Sequence, residues 1–185
     1  FRKSERAALA CARHVVTTSA ATARLLGDDY GVAAERVTVV RPGTDRVAQQ
    51  PRPASDAVRL LCVGAIVPRK GYDVLMAALA RLTDRRWRLV IVGDRTRSPD
   101  TAARLNADIA RCGLADRIEI VGPVSPERLS ALYAAADLFV LPSRFEGYGM
   151  AYTEAIAHGL PVVGTNAGAV SDTVPSGAGI LLPPD

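Results

Sequence analysis

Residues 145–154 read FEGYGMAYTE and set two carboxylates, Glu146 and Glu154, around two glycines and two tyrosines. Residues 67–73, VPRKGYD, set two cations, Arg69 and Lys70, between a proline and a glycine. Acids and cations of this kind can serve one ligand if it carries both anionic groups and hydroxyls. Lysine, arginine and the free backbone N–H groups at a helix start hold phosphates. Ionised carboxylates can only accept, so beside a phosphate they are useful only when aimed at hydroxyls. A molecule with phosphates and sugar diols meets both conditions. Gly147 and Gly149 would let the backbone turn tightly and approach it closely, with a helix starting near Gly149. Each motif also has a plainer alternative: VPRKGYD as a solvated basic turn, Glu146 as a loop carboxylate capping the next helix, Glu154 as an exposed helix residue. Met150 and Tyr152 read as packing residues and His158 as a cap or surface histidine. Neither G-x-x-x-x-G-K-[ST] nor G-x-G-x-x-G occurs in the chain.

The elements that must position these groups repeat one unit from residue 58 onward. An apolar run, a Gly or Pro turn and a helical Ala/Leu/Arg stretch follow one another. The runs are VRLLCVG (58–64), WRLVIVG (87–93), RIEIVG (117–122), DLFVLP (137–142), LPVVGT (160–165) and GILLP (179–183). Nearly continuous apolar runs of this length predict parallel strands covered on both faces. Between them YDVLMAALARL, TAARLNADIARCG, PERLSALYAAA and GMAYTEAIAHG predict helices. Ser125 reads as an N-cap, and Gly113 and Gly159 as left-handed helix ends. The expected fold class is therefore α/β, a doubly wound parallel sheet, whose ligands lie beyond the carboxyl ends of the strands. Before residue 58, HVVTTS (14–19) and RVTVV (36–40) predict two more strands. ATARLLGDDYG predicts a helix between them, capped at Ser19 and stopped at Gly31. Residues 42–57, rich in Pro, Gln and polar side chains, read as a linker. Two strands and a helix make a poor domain, so residues 1–41 suggest part of a second one, with exposed edges that invite self-association. Phe1 stands where an intact chain would have Met, which suggests a missing beginning.

Composition excludes several classes. Among 185 residues, 23 Lys and Arg face 19 Asp and Glu, a formal charge of +4. The arginines are scattered and only three Phe, five Tyr and one Trp can stack on bases, so nucleic acid is not the expected partner. Cys11, Cys62 and Cys112 are widely spaced without a C-x-x-C pair and read as reduced core thiols of a cytoplasmic protein. His14 and His158 are the two histidines, too few for a multi-histidine metal site.

PSRFEGYGMAYTEAIAHGLPVVGT resembles the signature of the retaining, GT-B-fold glycosyltransferases of glycosyltransferase family 4. VGAIVPRKGYDVLMAAL resembles their phosphate-binding turn, and RVTVVRPGTD the last strand and hinge of their N-terminal domain. The resemblance implies a Rossmann-like C-terminal donor domain at 58–185, a linker at 42–57 and a remnant of the acceptor-side domain at 1–41. It implies a nucleotide sugar such as a UDP- or GDP-hexose as substrate, an acceptor of unknown identity, no cofactor and no metal. The expected location is the cytoplasm, with peripheral attachment to the inner face of a membrane as the alternative. By the resemblance Glu154 binds the ribose diol and Glu146 the transferred sugar. Lys70 contacts the diphosphate, the amides of Tyr148, Gly149 and Met150 contact sugar or phosphate, and Gly122 to Val124 border the base. Ala65 stands where the family carries an arginine, with Arg69 the candidate substitute, and the family's Gly-Gly-x-x-Glu is replaced in AGAVSD (167–172). The alternatives are a non-catalytic nucleotide-binding module and another GT-B enzyme such as a nucleotide-sugar epimerase.

Overall fold

The computed structural model describes residues 2–48, 51, 52 and 54–185, and two parallel sheets divide them. The smaller pairs β1 (Val15–Thr17) with β2 (Val37–Val39), Val15 opposite Val37. Helix α1 (Arg2–Cys11) precedes β1 and α2 (Ala20–Tyr30) connects the strands. The α2 boundaries are those its sequence predicts. Ser19 accepts from the Thr22 N–H at 3.1 Å, and Gly31 ends the helix at φ 70. Helix α1 was not anticipated, since RKSERAALAC lacks an apolar stripe and none of its residues is buried. Polar bonds hold it instead: Tyr30 donates to Glu5 at 2.6 Å, and Arg6 donates to the Asp29 carbonyl at 2.7 Å. Within the expected linker, residues 49, 50 and 53 lie outside the described residues. Arg52 donates to the His158 and Gly159 carbonyls at 3.1 and 3.0 Å, tying this stretch to the larger unit.

The six apolar runs all become strands of one sheet. They are β3 (Val58–Val63), β4 (Trp87–Val92), β5 (Ile118–Gly122), β6 (Leu138–Leu141), β7 (Val162–Thr165) and β8 (Gly179–Leu182), in the order β5-β4-β3-β6-β7-β8. Every neighbouring pair is parallel. The connecting helices are α3 (Tyr72–Leu79), α4 (Pro99–Arg111), α5 (Pro126–Ala135), α6 (Met150–Ala157) and the short α7 (Val170–Thr173). Leu61 and Cys62 are successive and therefore point to opposite faces, yet they are 1% and 0% exposed. Both faces of the sheet are thus covered, which is why its strands lack alternation. The chain winds outward one way from β3 to β5 and the other way from β6 to β8, so the order reverses between β3 and β6. That reversal opens a crevice at the strands' carboxyl ends.

The helix punctuation holds where a residue type demands it. Ser125 caps α5 by accepting from the Arg128 N–H at 3.3 Å, and Gly113 and Gly159 adopt φ 66 and 69. Helix α4 begins two residues before the predicted TAARLNADIARCG, because Pro99 takes its first turn. The three cysteines do not share one environment. Burial pushes the Cys62 thiol up to about 12, whereas Cys11 is exposed on α1, which has no core to enter, and Cys112 is half-buried. No helix among the described residues is long and apolar enough to cross a membrane.

One ion pair ties the strand starts together. Arg59 on β3 donates to Asp137 through Nε at 2.9 Å and Nη2 at 2.7 Å. These bonds hold the Asp137 carboxyl below the usual carboxylate range. Because the folded carboxyl is the stronger acid, the pair's contribution is complete above the unfolded value of about 3.9. It is lost as acid protonates the folded carboxyl. Urea melts should therefore show Arg59→Leu destabilised near neutrality and converging on the parent chain between about pH 5 and about pH 2; a constant difference would exclude the pair as its source.

Candidate functional site

The loops after β3 and β6 meet at the reversal point. Residues Pro68–Lys70 form a single 3-10 turn ended by Gly71 at φ 67, and a Cβ on Gly71 would strike the Pro142 carbonyl oxygen. The Arg144 N–H donates to the Arg69 carbonyl at 2.8 Å. This close seam carries the Arg69–Lys70 corner to Glu146. Lys70 Nζ donates to Glu146 Oε1 at 2.5 Å, the Ser143 hydroxyl donates to the same oxygen at 2.6 Å, and Arg69 Nη1 reaches Oε2 at 3.3 Å. Arg69 also donates to the Phe145 carbonyl at 3.0 Å. Lys70 and Glu146 are 7% and 6% exposed. The basic turn is therefore solvated only in part: Lys70 is buried, while Pro68 and Arg69 are exposed. Glu146 does not cap α6, whose first turn has no side-chain cap. The two cations expected to hold phosphate and the acid expected to accept from hydroxyls are one another's partners here. A carboxylate so buried needs such partners, because an unpaired ion removed from water is costly.

Glu154 lies in α6 and is half-buried rather than exposed. Its Oε2 accepts from the Tyr133 hydroxyl at 2.8 Å. It lines a cavity of about 680 Å³ together with Leu129, Met150, His158 and Gly43 to Asp45. Met150, expected to pack, is 41% exposed and lines this cavity, because it is the first helical residue and projects beyond the sheet. Tyr152 does pack: it is 0% exposed and donates to the Leu141 carbonyl. His158 caps α6, its Nδ1 lying 2.8 Å from the Glu154 carbonyl.

A second cavity, about 380 Å³, sits at the ends of β3, β4 and β5 and is lined by Gly64, Ala65, Arg97, Pro123 and Val124. Leu129 lines both cavities. Gly122, at φ 70, turns the chain from β5 toward this wall. Gly149 adopts φ 93 at the start of α6, as expected, whereas Gly147 has an ordinary φ and open space around it. The Gly147 carbonyl accepts from the Thr22 hydroxyl at 3.3 Å, and the Tyr148 hydroxyl donates to the Pro42 carbonyl at 3.2 Å. The loop before α6 is thus touched by α2 and by the start of the linker.

The sequence-predicted side chains fall into three places: Lys70 and Glu146 buried together with Arg69 at their exposed edge, Glu154 and Met150 on the first cavity, Val124 on the second, with Gly122 at the end of β5 and Gly147 to Gly149 in the loop before α6. Among the described residues the two glutamates share no hydrogen-bond partner. Three further contributors carry no strong signal in the sequence: Ser143, Tyr133 and Arg97. Ser143 stands in PSRFE, three residues before Glu146, and a hydroxyl at that spacing is a local signal; Tyr133 and Arg97 reach the site only through packing. Among the described residues no three His, Cys, Asp or Glu side chains are grouped to hold a metal ion.

Residues 57–185 match the family described as Glycosyl transferases group 1. The D-inositol 3-phosphate glycosyltransferase of Nocardia farcinica (strain IFM 10152) is 36% identical over 196 residues, an alignment covering 96% of this chain and 43% of that relative. The crystal structure of Anabaena Alr3699/HepE in complex with UDP and glucose is similar with a TM-score of 0.87 and 25% identity, covering 100% of this chain and 54% of that one. Sucrose-phosphate synthase (tll1590) from Thermosynechococcus elongatus gives a TM-score of 0.84 at 30% identity, with 100% and 48% covered. The chain spans about half the length of the proteins it matches.

Proposed function

The chain belongs to the group 1 glycosyl transferases, with the GT-B half-fold of that family, and from that premise we propose that it is the donor-binding part of a retaining glycosyltransferase. Residues 58–185 hold a nucleotide sugar such as a UDP- or GDP-hexose, residues 42–57 link, and residues 1–41 belong to the acceptor-side domain. The observation that carries this reading is the Lys70–Glu146 pair at the sheet's reversal point. A cation and an acid held within one bond of each other can be exchanged together for a ligand that supplies both an anion and an alcohol. The Anabaena structure with UDP and glucose supports the same ligand class.

In this reading Lys70 turns from Glu146 to the diphosphate, Arg69 assists, and Glu146 accepts from hydroxyls of the sugar. Glu154 accepts from the ribose diol, the first amides around Tyr148, Gly149 and Met150 meet phosphate or sugar, and Gly122 and Val124 border the base. During transfer the bond from the sugar's anomeric carbon to the diphosphate breaks and one to the acceptor oxygen forms on the same face. The acceptor's proton passes to the leaving phosphate, and Lys70 stabilises the charge that develops there. A second reading, a nucleotide-binding module without catalysis, draws on Ala65 and on the commitment of Arg69 to Phe145 and Glu146.

Calorimetric titration with UDP-, GDP- and ADP-glucose should show saturable binding of at least one donor, weakened about tenfold or more by Glu154→Ala, the loss expected when a charged hydrogen-bond acceptor is removed. Equal affinity of the variant would exclude Glu154 from the site. Transfer by a longer chain with a complete acceptor-side domain separates enzyme from module. Sedimentation of the same samples tests self-association through the small sheet, where Val16 is 65% exposed.

A further inference from the structure

Glu154 is oriented by a residue outside its own helix. The Tyr133 hydroxyl on α5 donates to Glu154 Oε2 at 2.8 Å, while among the described residues Oε1 has no protein partner. The Tyr133 side chain is itself fixed. It is 1% exposed, stacks on the His158 ring at 5.0 Å and 24°, and tilts against Phe139 at 6.2 Å. His158 is fixed in turn: its Nδ1, 2.8 Å from the Glu154 carbonyl, must be the protonated nitrogen. Nε2 is paired with the Ser130 hydroxyl at 3.0 Å. Burial, with Glu154 beside it, holds the Tyr133 hydroxyl well above the ordinary tyrosine range, so it stays a donor.

We propose that Tyr133 is a positioning residue that occupies one oxygen of Glu154, presents the other to the ligand, and thereby sets a preference for ribonucleotides over nucleotides lacking the ribose diol. This rests on the reading of Glu154 as the ribose-binding acid. A glutamate side chain free in a cavity must lose its rotamer freedom when it binds. One already held by a buried hydroxyl has lost it beforehand. The benefit is confined to ligands with hydroxyls to offer, because the partners of the Tyr133 hydroxyl are Glu154 and, at 3.3 Å, the Ala151 carbonyl of the same helix, and not the Lys70–Arg69 cluster.

The test is calorimetry of the full chain with UDP and with 2′,3′-dideoxy-UDP. Tyr133→Phe keeps the ring and its stacking and should weaken UDP about 3- to 10-fold while changing dideoxy-UDP less than about 2-fold, the effect of one lost hydrogen bond. In a Glu154→Ala background the same substitution should no longer discriminate. His158→Ala, which removes the stacked ring, should shift the ratio of the two affinities in the same direction. Because that ratio is the readout, partial unfolding of a variant lowers both affinities and leaves it unchanged. If Tyr133→Phe weakens both ligands equally, or neither, the residue is structural and the proposal fails while Glu154 keeps its role. If Glu154→Ala leaves UDP binding unchanged, or the parent chain does not bind UDP, the donor-site reading falls and this proposal with it.

Discussion

Lys70→Ala should cost the fold about 3 kcal/mol, near the lower bound for breaking a buried ion pair. The variant leaves the Glu146 carboxylate, 6% exposed, with the Ser143 hydroxyl at 2.6 Å and Arg69 at 3.3 Å. Arg69 softens the loss but approaches the other oxygen from a half-exposed position. Removing both charges together tells a different story. Lys70→Met with Glu146→Gln retains the hydrogen bond from Ser143 and leaves no buried ion, Arg69 keeping its contact with water, so it should cost about 1 kcal/mol or less. Urea denaturation of the single and double variants measures the difference, and both should lose affinity for the donor. A single variant as stable as the double one would show that the pair is not energetically coupled.

Gly71→Ala should be the more damaging of two formally identical substitutions. Gly71 and Gly113 have the same left-handed backbone, φ 67 and 66, and both end a helical turn. Around Gly113 a Cβ meets nothing within 4 Å, whereas at Gly71 it collides with the Pro142 carbonyl oxygen. The backbone penalty common to both is about 1–2 kcal/mol. At Gly71 a further 1–3 kcal/mol, approximately, comes from forcing the loops apart. Thermal unfolding should therefore rank Gly71→Ala clearly below Gly113→Ala. Equal destabilisation would mean that the seam between the loops yields freely.

Much of this architecture is written in local residue types. VRLLCVG and WRLVIVG could be read as buried parallel strands because successive apolar residues leave no face for water, and Ser125-Pro126 marks a helix start wherever it is placed. Helix α1 was missed for the converse reason: RKSERAALAC has no stripe to bury, and its anchors, Tyr30 and Asp29, are distant in sequence. At the site, the loops carrying chemistry were identifiable from glycines, acids and cations beside strand ends. Their pairing was not. That Glu146 faces Lys70 depends on β3 and β6 becoming neighbours, a fact of topology that no local pattern records. That Glu154 leans on Tyr133 depends on how α5 packs beside α6. Met150 shows that an apolar type is not sufficient for burial: it opens the helix and stays 41% exposed.

The burial of Cys62 gives the chain a built-in chemical timer. Thiol reagents attack thiolates, and at neutral pH a group pushed up to about 12 and closed off between strands and helices offers almost none. Cys11, exposed on α1, reacts without delay and calibrates the reagent. Modification at Cys62 then counts only those molecules whose central strand has come open, so mass spectrometry of the labelled chain reads the frequency of that rare excursion under native conditions.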